Sequence, residues 1–340
     1  MATQPATTTT TTAAQSTTTT GAAELRRQLP GPGIVVAPGV YDGISARMAI
    51  KAGHTALYQT GAGTSASRLA RADLGFLSMA DIVSAAGVSI MASPASPSST
   101  RRIVPVIADA DVGFGGAPQV ARTVQEYHRA GIAALHIEDQ VASKRCGHLD
   151  SKQLVSKQDF IARIKAAKYA QDQLACAPAD RILLIARTDA LGVLGLDDAL
   201  DRLRAARDAG AEMGFLEGIQ TDQQARTAIE ALGDWPLLAN CVTGGKSPLW
   251  TATDVQRLGF RLAIFPCAGI FPAAKALLAS YAHLADRGIG IEASTDPATS
   301  SVDLGGADPR GLRNFFADMG LDDEVAIDLL AAEGAGLGSV

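Results

Sequence analysis

The sequence predicts a (β/α)8 barrel, the TIM fold, followed by a helical extension suited to packing on a partner subunit. Eight short β-rich apolar runs alternate with longer helical patterns along the chain. Successive parallel strands need a helical return between them, and eight such units close most simply as a barrel. Most of the runs also end in a polar or charged group, as expected where strand ends converge on one reactive face. A doubly wound open sheet is the structural alternative.

The elements follow in order. The opening "MATQPATTTTTTAAQSTTTTGAAE" is Thr/Ala/Gln-rich, with no apolar core and no Arg or Lys, so residues 1–25 read as a disordered tail rather than a targeting segment. The barrel is assigned to 26–288. Its strand candidates are 33–39, 56–62, 104–111, 134–140, 182–190, 214–219, 237–242 and 262–266. "APQVARTVQEYHRAG" has apolar residues at helical spacing and a closing Gly131. "LDDALDRLRAARDAG" begins acidic, turns basic and ends in Gly210, in keeping with the helix dipole. "SKQDFIARIKAAKYAQDQL" and "TDQQARTAIEALG" read as helices in the same way, as does "AAKALLASYAHLADRG" past Pro272. Residues 289–340 form a polar linker and a helical piece at 311–334.

Composition excludes several function classes. The chain has 340 residues, 47% of them hydrophobic, enough for a large interior. A net charge of −5 gives no reason to expect nucleic acid or an anionic membrane as partner. No apolar run reaches the ~20 residues of a membrane span, and the expected location is the reducing cytoplasm. Cys146, Cys176, Cys241 and Cys267 are widely spaced with no CxxC pair, which argues against a disulfide framework or a structural zinc site.

The polar residues at the strand ends carry the chemistry. Thr60, Gly61 and Ala62 end the second run; Asp109 and Asp111 the third; Glu138 and Asp139 the fourth; Arg187 and Asp189 the fifth; Glu217 the sixth; Asn240 the seventh. Acids marking the places where strands reach solvent would explain one or two of these, but not groups flanked by long apolar runs. Several carboxylates near one point call for a hard divalent cation such as Mg²⁺, which takes oxygen ligands and water. Asp109 and Asp111 share a strand side by two-residue alternation, with Glu138 acting directly or through water. No His pair sits at zinc spacing; His136, alternating into a strand, reads as a structural hydrogen-bonded histidine. Arg187 suits a planar carboxylate, and "TGAG" (60–63) offers backbone N–H groups to an anion, although its glycines also simply permit a turn. Cys146 lies in a loop after the fourth run among Lys144, Arg145 and His148. Cationic neighbours favour thiolate or easy proton exchange, so the thiol serves as nucleophile or as general acid/base, on a loop able to act as a lid.

These segments resemble a known family. "ADADVGFGG" (108–116), "HIEDQ" (136–140), "KRCGH" (144–148) and "ARTDA" (186–190) are similar to the isocitrate lyase/phosphoenolpyruvate mutase superfamily, from about Pro38 to Gly288. Within it, "GFLEGI" and "DWPLL" look most like the fungal oxaloacetate acetylhydrolase and dimethylmalate lyase branch. The resemblance implies a TIM barrel, helix exchange between subunits, a homotetramer and Mg²⁺, with Mn²⁺ as its substitute. It implies metal binding by Asp109 and Asp111, supported through water by Asp73 and Glu138. Thr60, Gly61, Ala62, Arg187 and Asn240 would hold substrate carboxylates, with Gly147, His148, Ser247 and Pro266 as further contacts and Glu217 beside them. Cys146 would be the general acid and Tyr58 a neighbour of the reacting oxygen. The implied activity is retro-aldol cleavage of a 2-hydroxydicarboxylate to an α-keto acid and a carboxylate.

Departures from the family pattern shape the substrate. Phe271 stands where methylisocitrate lyases carry an arginine for a third carboxylate. Pro266 stands where oxaloacetate acetylhydrolases carry a serine, and Thr243 where relatives usually have a glutamate. The expected substrate is therefore an alkyl-substituted malate. Oxaloacetate hydrolysis, a methylisocitrate lyase-like activity and a non-catalytic diacid-binding barrel are the alternatives.

Overall fold

The computed structural model describes residues 20–93, 103–147, 151–290 and 311–335, the side chains of 332–335 excepted. The chain runs α1 (Gly21–Gln28), β1 (Val35–Val40), α2 (Gly43–Lys51), β2 (Leu57–Gln59), α3 (Gly61–Leu69), α4 (Met79–Met91), β3 (Val106–Asp109) and α5 (Ala117–Arg129). It continues through β4 (Ala134–Glu138), α6 (Lys157–Asp172), β5 (Leu183–Thr188), α7 (Leu196–Asp208), β6 (Met213–Leu216), α8 (Asp222–Leu232) and β7 (Leu237–Asn240). It ends with α9 (Ala252–Leu258), β8 (Leu262–Phe265), α10 (Ile270–Arg287), α11 (Gly311–Asp318) and α12 (Leu321–Ala335).

The eight strands close in sequence order, each parallel to its neighbours, with β8 returning to β1 through Val35↔Leu262 to Pro38↔Phe265. This is the predicted TIM barrel; the open-sheet alternative is excluded by that last pairing. All eight predicted strands are present. Most are shorter at their C-terminal ends than the apolar runs, because the polar residues there leave the ladder to face the site.

The barrel interior is packed by Ala37, Tyr58, Ile107, Ala134, Ile185, Phe215, Leu238 and Ile264, all buried. Leu25 of α1 is fully buried in the same cluster. Residues 21–25, expected to be disordered, thus belong to a helix. Thr20 caps it by accepting from Ala23 N (3.2 Å), and Arg26 ties it to Glu212 at 2.6 Å. The apolar spacing Ala22/Leu25/Leu29, too short to stand out beside the Thr-rich repeat, decides this.

Among the described residues, no helix is long and apolar enough to cross a membrane. The C-terminal helical piece is two helices, not one, with Gly320 (φ 96°) at the corner between them. Lys51 on α2 binds Asp318 at 2.6 Å. Helix α10 starts ahead of the expected position, with Pro272 in its first turn, where no intrahelical donor is lost. None of its residues is buried, and Leu277, Leu278, Tyr281 and Leu284 are exposed.

Candidate active site

The C-terminal strand ends surround a small cavity. Tyr58, Thr60, Ala62, Asp73, Asp109, Cys146, Gly147, Arg187, Glu217, Asn240, Val242, Pro266 and Cys267 line it. Eleven of these were expected from sequence; Val242 and Cys267 were not, since nothing marks a valine or an additional cysteine as facing a cavity.

Two of the expected acids are not lined up as the strand pattern suggested. β3 ends at Asp109, and Asp111 sits two residues beyond it in the left-handed region (φ 45°), so strand alternation does not align them. A tight turn does: Asp111 N donates to Asp109 Oδ1 at 2.9 Å. Aspartate tolerates this conformation better than most residues. Gly61, at the start of α3, packs behind the pair. A Cβ there would fall on Asp109 Oδ2, which is why this helix opens with glycine. Thr60 is its N-cap, accepting from Gly63 N at 3.4 Å, so the "TGAG" segment is a helix N-terminus at the cavity edge.

Lys144 was expected as one of the cationic neighbours of the thiol. Its Nζ lies 2.6 Å from both Asp73 Oδ1 and Asp111 Oδ1. Burial opposes its charge, but Asp111, Asp109, Asp73 and Glu138 outweigh burial and hold its pKa well above the ordinary value. Burial pushes Asp111 up to about 7 against the pull of Lys144. Burial likewise holds Glu138 well above the carboxylate range despite Arg187. Asp109 stays below it, because His136, Lys144 and Arg187 overcome its burial.

Arg187 is ringed by acids. Its Nε lies 3.1 Å from Asp189 Oδ2 and 3.2 Å from Glu138 Oε2, and its Nη2 lies 3.3 Å from Glu217 Oε2. The guanidinium sits 5.0 Å from the Phe215 ring centroid. Asn240 Nδ2 donates to Glu217 Oε2 at 3.0 Å, and Gly218 N donates to its other oxygen at 2.8 Å. Tyr58 Oη and His136 Nε2 are 2.9 Å apart. Burial raises Tyr58 well above 10 and lowers His136 to about 4, so both are neutral near pH 7. His136 is fully buried, edge-on to Phe215 at 5.4 Å, in keeping with its structural reading.

Cys146 and Gly147 enter the cavity from the loop after β4. None of the four cysteines is in a disulfide. His148 lies outside the described residues. Ser247 is buried in the loop after β7 but does not line the cavity. Thr243 is exposed in the same loop, and Phe271 is half-exposed on α10; neither lines the cavity, so of the three departures only Pro266 borders it.

The donor set suits a hard cation. Both Glu138 oxygens are buried without a hydrogen-bond donor aligned on them, and Asp111 Oδ1 meets Lys144 Nζ at 2.6 Å. All candidate donors are carboxylate oxygens. Among the described residues no three His, Cys, Asp or Glu groups already stand at metal-binding geometry. That is compatible with Mg²⁺, which uses one or two carboxylates and fills its shell with water and substrate.

A model of the phosphoenolpyruvate phosphomutase family matches residues 25–285. The chain belongs to the phosphoenolpyruvate mutase/isocitrate lyase family of enzymes. It is 38% identical over 257 residues to 2,3-dimethylmalate lyase of Eubacterium barkeri, covering 76% of this chain and 83% of that one. A crystal structure of 2,3-dimethylmalate lyase superimposes with TM-score 0.80 at 44% identity, covering 94% of this chain and 98% of the other. An oxaloacetate acetylhydrolase with the inhibitor 3,3-difluorooxalacetate gives TM-score 0.80 at 40% identity, with 94% and 99% covered. Members of the family use Mg²⁺, and one solved relative holds it together with oxalate.

Proposed function

We propose that this protein is a Mg²⁺-dependent carbon–carbon lyase that cleaves an alkyl-substituted malate to an α-keto acid and a carboxylate. The observation that carries the reading is the make-up of one small cavity. It joins a thiol, a buried arginine and the carboxylates of Asp73, Asp109 and Glu217 to a wall of Val242, Pro266 and Cys267. Pro266 has no N–H to donate, so this wall suits an alkyl substituent better than a hydrated ketone.

Asp109 and Asp111 would hold the metal, with Asp73 and Glu138 contributing through water. Bound there, Mg²⁺ supplies Lewis-acid stabilisation of the oxygen charge that develops as the bond breaks. Arg187 and Asn240, with the N-terminus of α3 at Thr60–Ala62, bind the substrate carboxylates. Glu217 fixes both polar side chains. The proton of the 2-hydroxyl passes to a carboxylate of the cavity wall. The C2–C3 bond then breaks with its electron pair moving to C3, and Cys146 returns a proton to that carbon. Neutral Tyr58, held by His136, flanks the reacting oxygen without adding charge. The exposed apolar residues of α10 support association with a second copy of the chain, in line with the helix exchange and tetramer expected from sequence.

Oxaloacetate hydrolysis to oxalate and acetate is the second reading, favoured by the match to the acetylhydrolase structure. Incubation with Mg²⁺ and 2,3-dimethylmalate, citramalate, methylisocitrate or oxaloacetate separates the two. Keto-acid release from an alkylmalate supports the lyase; oxalate from oxaloacetate at a comparable rate overturns it. Cys146→Ser should cut turnover by about 10²-fold or more, the usual scale of a lost acid–base group, with fold and Mg²⁺ binding intact.

A further inference from the structure

Cys146 sits between two anchored peptide units. On its N-terminal side, the Gln140 side-chain amide grips the backbone of Arg145 from both ends. Arg145 N donates to Gln140 Oε1 at 3.0 Å, and Gln140 Nε2 donates to Arg145 O at 2.9 Å. On its C-terminal side, Lys152 Nζ donates to Gly147 O at 2.7 Å and to Asp189 Oδ1 at 2.6 Å. Gln140 is fully buried and Lys152 is 8% exposed. Neither lines the cavity.

The base of this loop is fixed independently. Gln140 pairs with Leu154 as an antiparallel bridge, Val141 N donates to Gln153 O, and Val155 N donates to Asp139 O, both at 2.9 Å. Gln140 and Lys152 therefore project from a rigid neck onto the segment that carries the thiol. Asp189 connects this arrangement to the substrate-binding side, since its other oxygen lies 3.1 Å from Arg187 Nε. Burial opposes ionisation of Asp189, but Arg187 and Lys152 more than compensate, so it is held as a carboxylate between two cations.

We propose that Gln140 and Lys152 are positioning residues that seat Cys146, and that Lys152, through Asp189, ties that seat to the orientation of Arg187. Among the described residues, Asp189 is the acid that meets the buried Lys152 ammonium. A neutral donor could satisfy the Gly147 carbonyl but would leave Asp189 short of a cation. The amide of Gln140 suits its place because a single backbone residue presents one donor and one acceptor, which only an uncharged amide matches at once.

The proposal rests on the lyase reading only in taking Cys146 as the proton donor, and the first measurement does not depend on that reading. Alkylation of Cys146 by iodoacetamide is followed by peptide mass spectrometry in the full chain, with and without Mg²⁺ plus oxalate as probe. Lys152→Met and Gln140→Leu are each expected to raise the Cys146 rate by roughly 10- to 100-fold, the scale of losing a charge-assisted or paired hydrogen bond, while buried Cys241 reacts no faster. Parent-like Cys146 rates in both variants overturn the proposal. So does a parallel rise at Cys241, which marks general loosening. If Lys152→Met does not fold, Gln140→Leu and Gln140→Glu keep the question open to refutation; the glutamate loses the donor to Arg145 O and should fall between parent and Leu. In turnover, kcat should fall at least tenfold in Lys152→Ala, with partial rescue by added ethylamine. A parent enzyme inactive on every diacid would sink the lyase reading and leave the alkylation result standing.

Discussion

Gly147→Ala is the sharpest single perturbation of the site. A Cβ at Gly147 would fall on Arg187 Nη2 and lie 2.7 Å from Glu217 Cγ. Neither neighbour can retreat easily. Arg187 is held by Asp189, Glu138 and Glu217 and lies over Phe215; Glu217 is pinned by Gly218 N and Asn240. The methyl group must therefore displace the Cys146 segment instead. Overpacking of this kind costs about 1–3 kcal/mol. At about 1.36 kcal/mol per tenfold, that displaces the thiol enough to lower kcat about 5- to 150-fold. The main-chain conformation is not at issue, because Gly147 has no positive φ. The same strain falls on the folded state, so the melting temperature should drop by only a few degrees. The assay is kcat and KM on the best alkylmalate, with thermal unfolding beside it. Parent-like kcat in a folded Gly147→Ala protein would refute the packing argument.

Three further outcomes follow from the same geometry. Arg187→Lys keeps a charge but not the planar fork that meets three acids, and losing one charge-assisted hydrogen bond (~1.5–3 kcal/mol) should lower kcat/KM about 10- to 150-fold, read from steady-state kinetics. Mg²⁺ at a hundred times its Kd should stabilise the folded chain by about 2.7 kcal/mol, seen as a rise of the thermal midpoint that Asp111→Asn abolishes. Asp189 has a folded pKa below its ordinary value. Its stabilising contribution is thus complete above about pH 4, the unfolded value, and is lost as pH falls through the depressed folded value. Urea midpoints measured from pH 6 down to 2 should show an acid limb that Asp189→Asn flattens.

Much of the site was legible because strand ends in a parallel barrel must converge. Apolar runs closing in Asp109, Glu138, Arg187, Glu217 and Asn240 predict a common face without knowledge of any contact. The pairings on that face were not legible. Lys144 reads as a neighbour of the Cys146 thiol because it is two residues away, yet the loop turns it onto Asp73, 71 residues distant. Nothing local in the sequence marks Lys152, since Asp189 and the Gly147 carbonyl converge on it only in the folded chain. Asp111 reads as a strand residue until its left-handed backbone is seen.

By itself, then, the sequence determined the barrel, its order and the acidic, arginine-bearing rim, because hydrophobic periodicity and strand ends are local properties. Tertiary structure alone decided which cation neutralises which carboxylate, that Leu25 extends the folded chain into the expected tail, and that Pro266, but not Thr243 or Phe271, borders the cavity. Those outcomes depend on distances between segments far apart in the chain, which burial and charge settle only once the barrel has closed.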